Sequence, residues 1–239
     1  MSIACGGGGG GDSDAAPAES ENTNRFKSAD AEQYAGTWYA TSFLMNNVSY
    51  IPTGIREAKM VINQDGSWVT TLRFADVNGV ISTNVSTSEN NNSDDYSVTS
   101  FAYVESDGKI DITQKLIDKS DGSEINGNLT VIRSGIDSSL VGTYTMNTYY
   151  ANGADYTSYY LSNSITVHSD ATVVQNATLA QDGIERISSF SFAAHDGSYY
   201  VIEANYESEV GGYSLANDIL TLNGSDYEGN EYSVTYLKQ

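Results

Sequence analysis

The chain has 239 residues and carries 31 acidic against 11 basic residues, which gives a formal net charge of -20. Because neutralising phosphates requires clustered lysine and arginine, a surface this negative excludes nucleic acids as partners. Eighteen tyrosines, 22 glycines and only two prolines make a composition typical of β-strands joined by tight turns rather than of a disordered chain. We therefore expect an all-β protein.

The first features in chain order are a lone cysteine and a glycine run. Cys5 follows small residues and precedes six glycines at 6–11. This arrangement resembles the maturation site of bacterial lipoproteins. The resemblance implies a lipid-attachment site at Cys5, a flexible, disordered tether over residues 1–33, and export to the bacterial cell envelope, anchored at the outer membrane. The rest of a signal peptide is missing ahead of Cys5, so we expect the natural start to lie upstream. The alternative is an ordinary disordered N-terminus with an incidental thiol.

Four segments of the first half return in the same order in the second half. The pairs are 34–39 with 140–145, 62–69 with 167–174, 100–108 with 189–197, and 129–133 with 234–238. The third pair lies closer together in the chain than the others, which predicts one deletion in the second copy and extra length in the first copy around 88–95. Such a duplication predicts two domains, residues 34–134 and 139–239.

Within each copy, apolar residues alternate at a period of two and the runs end at Asp-Gly pairs, which are hairpin-turn signals. The pairs lie at 65–66, 107–108, 121–122, 182–183 and 196–197. Each copy is therefore predicted to be an antiparallel meander of about six to eight strands, preceded in the first copy by a short helix over 28–35. Such sheets avoid free edges by closing, so the prediction is two small antiparallel β-barrels in tandem.

The motifs of both copies resemble the bacterial lipocalin-like domains. These motifs are Gly-Thr-Trp at 36–38 with the turn at 65–66, and Gly-Thr-Tyr at 142–144 with Leu-Thr-Leu at 220–222. In that family the glycine–tryptophan pair plugs the closed end of a barrel. The resemblance therefore implies two lipocalin-like barrels, of a kind that commonly binds ligands.

The same resemblance implies a structural role for Trp38, whose counterpart in the second copy is Tyr144. A family arginine packs on the tryptophan, and Arg133 on the closing strand is the candidate here, with Lys238 as its counterpart. We also expect Trp38 and Trp68 to be buried. Their expected neighbours in the core are Met60, Ile62, Phe101 and Leu129.

No catalytic constellation is visible in the sequence, and we predict no enzymatic activity, no cofactor and no metal site. His168 and His195 each lie at a strand end beside an aspartate, and we expect both at the surface. The acidic loops 89–95 and 118–124 carry oxygen ligands of the kind that Ca²⁺ prefers. Neither loop follows the twelve-residue calcium motif, so we expect both to be solvated.

The tyrosines are concentrated in the second copy, which holds 13 of the 18. Three pairs are adjacent, at 149–150, 159–160 and 199–200, so one member of each pair should face outward. Exposed tyrosine suits a contact surface, and cross-strand packing is the alternative explanation.

The leading hypothesis is a lipid-anchored, non-enzymatic envelope protein acting as a binding module. Through its tyrosine-rich second domain it would bind a protein, a glycan or a small apolar ligand. One alternative is a carrier of a small apolar ligand inside one barrel. The other is a surface lipoprotein that binds a host or partner protein.

Overall fold

The computed structural model describes residues 25–49, 55–75, 80–88, 96–202, 209–225 and 230–239. These residues form two successive antiparallel β units with one short helix and two 3₁₀ turns. The predicted all-β class is therefore confirmed. Cys5, residues 1–24 of the predicted tether and the acidic loop 89–95 lie outside the described residues.

The first unit is a β-sheet of eight strands that follows helix α1 (Ser28–Tyr34), and this helix confirms the predicted lead-in. The strands are β1 (Gly36–Met45), β2 (Val48–Ser49), β3 (Ile55–Ile62), β4 (Trp68–Ala75), β5 (Ile81–Thr87), β6 (Tyr96–Ser106), β7 (Lys109–Asp118) and β8 (Glu124–Arg133). Their hydrogen-bonded order is β5-β4-β3-β1-β8-β7-β6, with β2 paired to the end of β1. In the described part of this unit β5 and β6 are the two ends of the sheet.

The second unit is a closed barrel. Its strands are β9 (Gly142–Ala151), β10 (Ala154–Asp155), β11 (Tyr160–Val167), β12 (Thr172–Leu179), β13 (Glu185–His195), β14 (Ser198–Ile202), β15 (Glu209–Ala216), β16 (Ile219–Ser225) and β17 (Glu231–Lys238). Each pairs with the next along the meander, β10 lies outside on β9, and β9 also pairs with β17. This last pairing closes eight antiparallel strands into a barrel, as the alternating pattern predicts.

The correspondence between the units differs from the predicted one in the middle of each copy. The backbone N–H of Arg133 donates to the carbonyl of Gly108 at 2.8 Å, and that of Lys238 donates to the carbonyl of Asp218 at 2.8 Å. Gly108 thus corresponds to Asp218, and its sequence match to Gly197 is wrong. The turn at Gly197 joins β13 to β14, and β14 is a strand without a counterpart in the described part of the first unit rather than the site of a deletion.

Both tryptophans lie in the core of the first unit, as predicted. Trp38 is 1% exposed and Trp68 is 3% exposed. The four expected neighbours belong to the same core: Met60, Ile62, Phe101 and Leu129. Phe26 and Ala31, inside the stretch predicted as tether, are also buried there. The segment before β1 therefore covers one end of this sheet.

The two units anchor their first strand in the same way. The indole nitrogen of Trp38 donates to a carbonyl four residues earlier at 2.8 Å, and the hydroxyl of Tyr144 donates to the carbonyl of Leu140 at 2.9 Å. A cation from the last strand lies over each ring: Arg133 is 5.3 Å from the centre of Trp38, and Lys238 is 5.6 Å from that of Tyr144. The geometry expected for Arg133 and Lys238 is present.

The outer face of the barrel packs directly on the first unit. Tyr200 is 1% exposed, its ring stacks on Tyr39 with centroids 5.0 Å apart, and its hydroxyl accepts the backbone N–H of Ala58 at 3.0 Å. Ala193 of β13 and Val210 of β15 belong to the same core as the tryptophans. The first sheet and the barrel therefore share one apolar core at their contact.

His195 lies in this contact, so its predicted surface position is wrong. Its Nε2 atom is buried and has no hydrogen-bond partner among the described residues, and a Cβ atom at Gly108 would lie 2.8 Å from its Nδ1. Burial lowers the pKa of His195, while the nearby carboxylates of Asp137 and Asp107 oppose that shift. The side chain thus fills space between the two units as a mainly neutral ring.

Candidate ligand-binding cavity

The second barrel encloses a cavity of about 220 Å³. Successive side chains of a strand point to opposite faces, so each strand of a closed barrel turns every second residue inward. The lining follows this rule: β11 contributes Asn163, Ile165 and Val167, and β17 contributes Tyr232, Val234 and Tyr236. The cavity is therefore a product of the period-two pattern and of barrel closure together.

One end of the cavity is closed and apolar. The 3₁₀ turn Ser138–Leu140 places Leu140 in the floor, where it is 0% exposed and held by the hydroxyl of Tyr144. Apolar side chains from the strands continue the floor and walls: Ile165, Val167, Val173, Phe192, Leu220 and Val234. This part of the cavity suits the hydrocarbon portion of a ligand.

Hydroxyl groups and one carboxylate gather in the remaining part. The hydroxyls of Tyr199 and Tyr232 are hydrogen-bonded to each other, and the Tyr232 hydroxyl donates to Glu209 Oε2 at 2.9 Å. Gly211 and Gly224, which face each other across β15 and β16, leave the space for this pair. A Cβ atom at Gly224 would collide with both hydroxyls. The two glycines are thus required by the polar side of the cavity.

Tyr236 presents a hydroxyl that has no hydrogen-bond partner among the described residues. The side chain is 5% exposed and lines the cavity. Burial raises its pKa, and the neighbouring Tyr160, Glu209 and Tyr149 raise it further. Burial also raises the pKa of Tyr199, and that of Tyr160. These phenols are therefore uncharged at neutral pH, while remaining able to donate and accept hydrogen bonds.

A small amide network completes the wall. Gln175 Nε2 donates to Asn163 Oδ1 at 3.1 Å, and Asn163 Nδ2 lies 3.4 Å from Met146 Sδ. Asn163 is only 4% exposed, so its polar groups are held by protein partners rather than by bulk solvent. These contacts fix the orientation of both amides along the cavity.

The adjacent tyrosines divide between the faces of the strands. In the first two pairs, Tyr149 and Tyr160 line the cavity. Their neighbours Tyr150 and Tyr159 point outward and are 41% and 42% exposed. The third pair differs, because Tyr200 points out of the barrel but is buried by the first unit. The outward tyrosine of that pair is therefore a packing residue and not part of a free contact surface.

The other sequence candidates lie apart from this cavity. His168 is exposed, as expected. In the loop 118–124, Asp118 and Asp121 accept hydrogen bonds from the nearby backbone N–H groups of Ser120 and Ser123. Within the ranges that the structure describes, no group of three His, Cys, Asp or Glu side chains is placed to hold a metal ion. The helix described there is too short and too polar to cross a membrane.

A second concave region of about 500 Å³ lies at the ends of β9, β16 and β17. Its lining includes Tyr150, Gly153, Asn223 and Glu231. Although its volume is larger, it is more open to solvent than the barrel cavity and lies at the strand ends rather than inside the barrel. We therefore take the barrel interior as the candidate site.

Sequence reasoning missed the polar side of the cavity, namely Glu209, Gly211 and Gly224. Gly211 and Gly224 lie inside runs that otherwise have strand character. A glycine in such a run indicates that another group approaches the backbone closely, so these two positions could have been recognised from the sequence. Position 209 offered no comparable signal, since acidic residues are common throughout the chain.

Comparisons with known proteins leave the site to be interpreted from its own geometry. No protein-family model matches the chain, and no curated protein matches it. Among solved structures, the chain is similar to a crystal structure of a protein of unknown function from the DUF3598 family of Nostoc punctiforme. That similarity has a TM-score of 0.27 at 10% identity and covers 90% of this chain and 100% of the other.

Proposed function

We propose that this protein is a non-enzymatic binding protein that holds one small, largely apolar ligand inside its second barrel. The observation that carries the proposal is the cavity of about 220 Å³ inside the barrel, with its apolar floor and its few polar lining groups. Binding sites for small molecules are typically of this kind, apolar in most of their lining and polar at a few fixed points.

The cavity volume limits the size of the ligand. A volume of 220 Å³ corresponds to about seven water molecules at ~30 Å³ each, and it is smaller than the ~300 Å³ of sites for drug-sized molecules. We therefore expect a ligand of about ten non-hydrogen atoms.

The test is binding of 2-naphthol, a neutral fluorescent probe, to the wild type and to two variants of β17. Val234→Phe places a ring in the cavity, whereas Leu237→Phe adds a ring to a residue that is 41% exposed on the outer face. We expect the first variant to abolish binding and the second to leave it unchanged. Equal binding by the wild type and Val234→Phe would place the probe elsewhere and contradict the proposal.

We also propose that both units follow one lipocalin-like barrel plan, with the first sheet closing between β5 and β6. Support comes from the repeated strand anchor of Trp38 and Tyr144. Hydrogen exchange measured residue by residue is the test, because a barrel protects amides on both edges of Ile81–Thr87. Rapid exchange of the amides on the edge away from β4 would show an open sheet.

The lipid anchor at Cys5 is a further part of the proposed function. It is supported by the sequence around Cys5 and would hold the protein at the cell envelope. When the chain is expressed behind a secretory signal in bacteria, we expect palmitate labelling and partition into detergent. Cys5→Ser should remove both, since acyl chains contribute about 0.8 kcal/mol per buried CH₂. A soluble, unlabelled wild type would refute the anchor and leave the barrel proposal intact.

A further inference from the structure

We infer that the ligand of the second barrel is an organic cation, an amine carried on an apolar body. This inference rests on the proposed small-ligand function and specifies the chemical class of the ligand. Three independent features of the barrel lead to it: the charge of the lining, the arrangement of aromatic rings, and the charge of the strand connections around the end opposite the floor.

The lining carries a single kind of charge. Glu209 contributes a carboxylate, and the lining residues in the described part of the barrel include no lysine, arginine or histidine. The phenols nearby remain uncharged because burial raises their pKa. A ligand with a positive group therefore meets a complementary charge inside the cavity, which a poorly hydrated site strengthens relative to water.

Aromatic rings line the same cavity as this carboxylate. Tyr149 and Tyr160 pack edge to face with ring centroids 6.0 Å apart, and both line the cavity together with Glu209 and Tyr236. Ring faces attract ammonium groups through their quadrupole. The Tyr236 hydroxyl, which has no partner among the described residues, supplies an acceptor for an ammonium N–H. The carboxylate, the rings and the acceptor thus line the same cavity.

The end of the barrel opposite Leu140 is strongly acidic in sequence. The described residues at this end, 151–160, 179–186, 209 and 230–231, together contain five acidic residues and one basic residue, Arg186. Arg186 already pairs with Asp182 at 2.6 Å. Such a distribution attracts cations and repels anions before contact is made.

The same features disfavour the other ligand classes of this size. A carboxylate ligand would bring a second negative charge beside Glu209, in a cavity where like charges are poorly screened. A neutral ligand would fill the volume and gain the apolar contacts but would gain nothing from the charge. An amine gains both contributions, so it should bind most tightly of the three.

The test is calorimetric titration of the wild-type protein with three probes of similar shape: 2-phenylethylamine, 2-phenylethanol and phenylacetate. We expect the amine to bind about tenfold more tightly than the alcohol, and phenylacetate to bind most weakly. Added salt should weaken amine binding and leave the alcohol unchanged. An alcohol that binds as tightly as the amine would overturn the inference.

Variants then locate the charge that selects the amine. Glu209→Gln should reduce amine affinity about tenfold and leave alcohol affinity within about twofold. Glu185→Gln removes the same charge from an exposed position at the same end of the barrel and should change neither by more than about twofold. An unchanged amine affinity in folded Glu209→Gln would overturn the assignment. If Glu209→Gln does not fold, the comparison of amine with alcohol on the wild type decides.

The outcomes separate this inference from the proposed function. If the alcohol and 2-naphthol bind and Val234→Phe blocks them, the small-ligand function stands whatever the amine does. If none of the three probes nor 2-naphthol binds, the small-ligand function fails and the inference fails with it.

Discussion

The two units anchor their first strands alike and fill their interiors differently. In the first unit the interior holds Trp38 and Trp68, together with Phe26 from the segment before β1. In the second unit Tyr144 takes the place of the first tryptophan, Val173 takes the place of the second, and a cavity of about 220 Å³ is present. Large aromatic side chains fill the interior of the first unit. Smaller or hydrogen-bonded side chains in the second unit leave space for a ligand.

The contact between the units extends this division of roles. The additional strand β14 belongs to the second unit, and its outward residue Tyr200 completes the core of the first unit, while its inward residue Tyr199 serves the cavity. Because adjacent residues of one strand serve the two roles, the first unit stabilises the wall of the candidate site. The following four predictions test this relationship between a packed unit and a hollow one.

The largest effect should come from Trp38→Ala in the packed unit. Removing this ring from the core should cost about 3–5 kcal/mol in the free energy of unfolding, and it also deprives Arg133 of its ring partner. Tryptophan fluorescence in a denaturant titration reports this unit alone, because both tryptophans belong to it and Trp68 remains. A midpoint within error of the wild type would mean that Trp38 does not support the core.

The second effect concerns the turn at Gly66 and its counterpart Ala171. Both have positive φ, at +80° and +67°, but a Cβ atom at Gly66 would collide with the carbonyl oxygen of Phe26. Gly66→Ala should therefore destabilise the first unit by about 1–3 kcal/mol. Ala171→Gly relieves a strained φ without filling space, and should stabilise the second unit by about 0.5 kcal/mol. Equal and small effects would show that the segment before β1 does not press on this turn.

A third test addresses the contact between the units through Gly108→Ala and its control Gly122→Ala. Both glycines have positive φ, at +82° and +76°, and only Gly108 faces another side chain, His195. In the control, φ strain alone should lower the free energy of unfolding by about 1 kcal/mol. Gly108→Ala should lower it by about 1–2 kcal/mol more, because the added methyl group overpacks the contact with His195. Urea titrations of the two variants measure the difference. Identical losses would contradict the close contact of His195 with this turn.

The smallest effect is the pH dependence of the same contact. Burial lowers the pKa of His195 below its ordinary value of 6.5, so the folded protein binds fewer protons there than the unfolded chain. Stability from this group is present above about pH 6.5 and falls as the pH drops through the folded pKa. Carboxylates in general remain mostly ionised down to about pH 5.5, so we expect His195 to contribute to the change in stability above that pH.

Denaturation midpoints at about pH 7.5 and 5.5 measure this effect. The wild type should be less stable at the lower pH, and His195→Gln should lose most of that difference. His168→Gln is the matched control, because His168 is exposed and is the other histidine of the chain. If the pH dependence of stability persists in His195→Gln, it comes from other titrating groups and not from His195.

The sequence by itself determined the class of the fold, the presence of a repeat and the roles of the strand anchors. These properties depend on local patterns: alternation of apolar residues, Asp-Gly turns, and the aromatic residues at 38 and 144 with cations at 133 and 238. Each pattern acts within one strand or between neighbours in a hairpin, so it is visible in the order of residues.

Only the tertiary structure decided which inward residues meet and what covers the outward ones. The match of Gly108 with Gly197 was wrong because two Asp-Gly hairpins are chemically alike, and only strand pairing distinguishes them. The outward position of Tyr200 followed from the period of two, but its burial depends on a sheet more than 140 residues away in the chain, at Ala58. The gathering of Glu209, Tyr232 and Tyr236 in one cavity likewise depends on the pairing of β9 with β17, because side chains from distant strands share an interior only when the barrel closes.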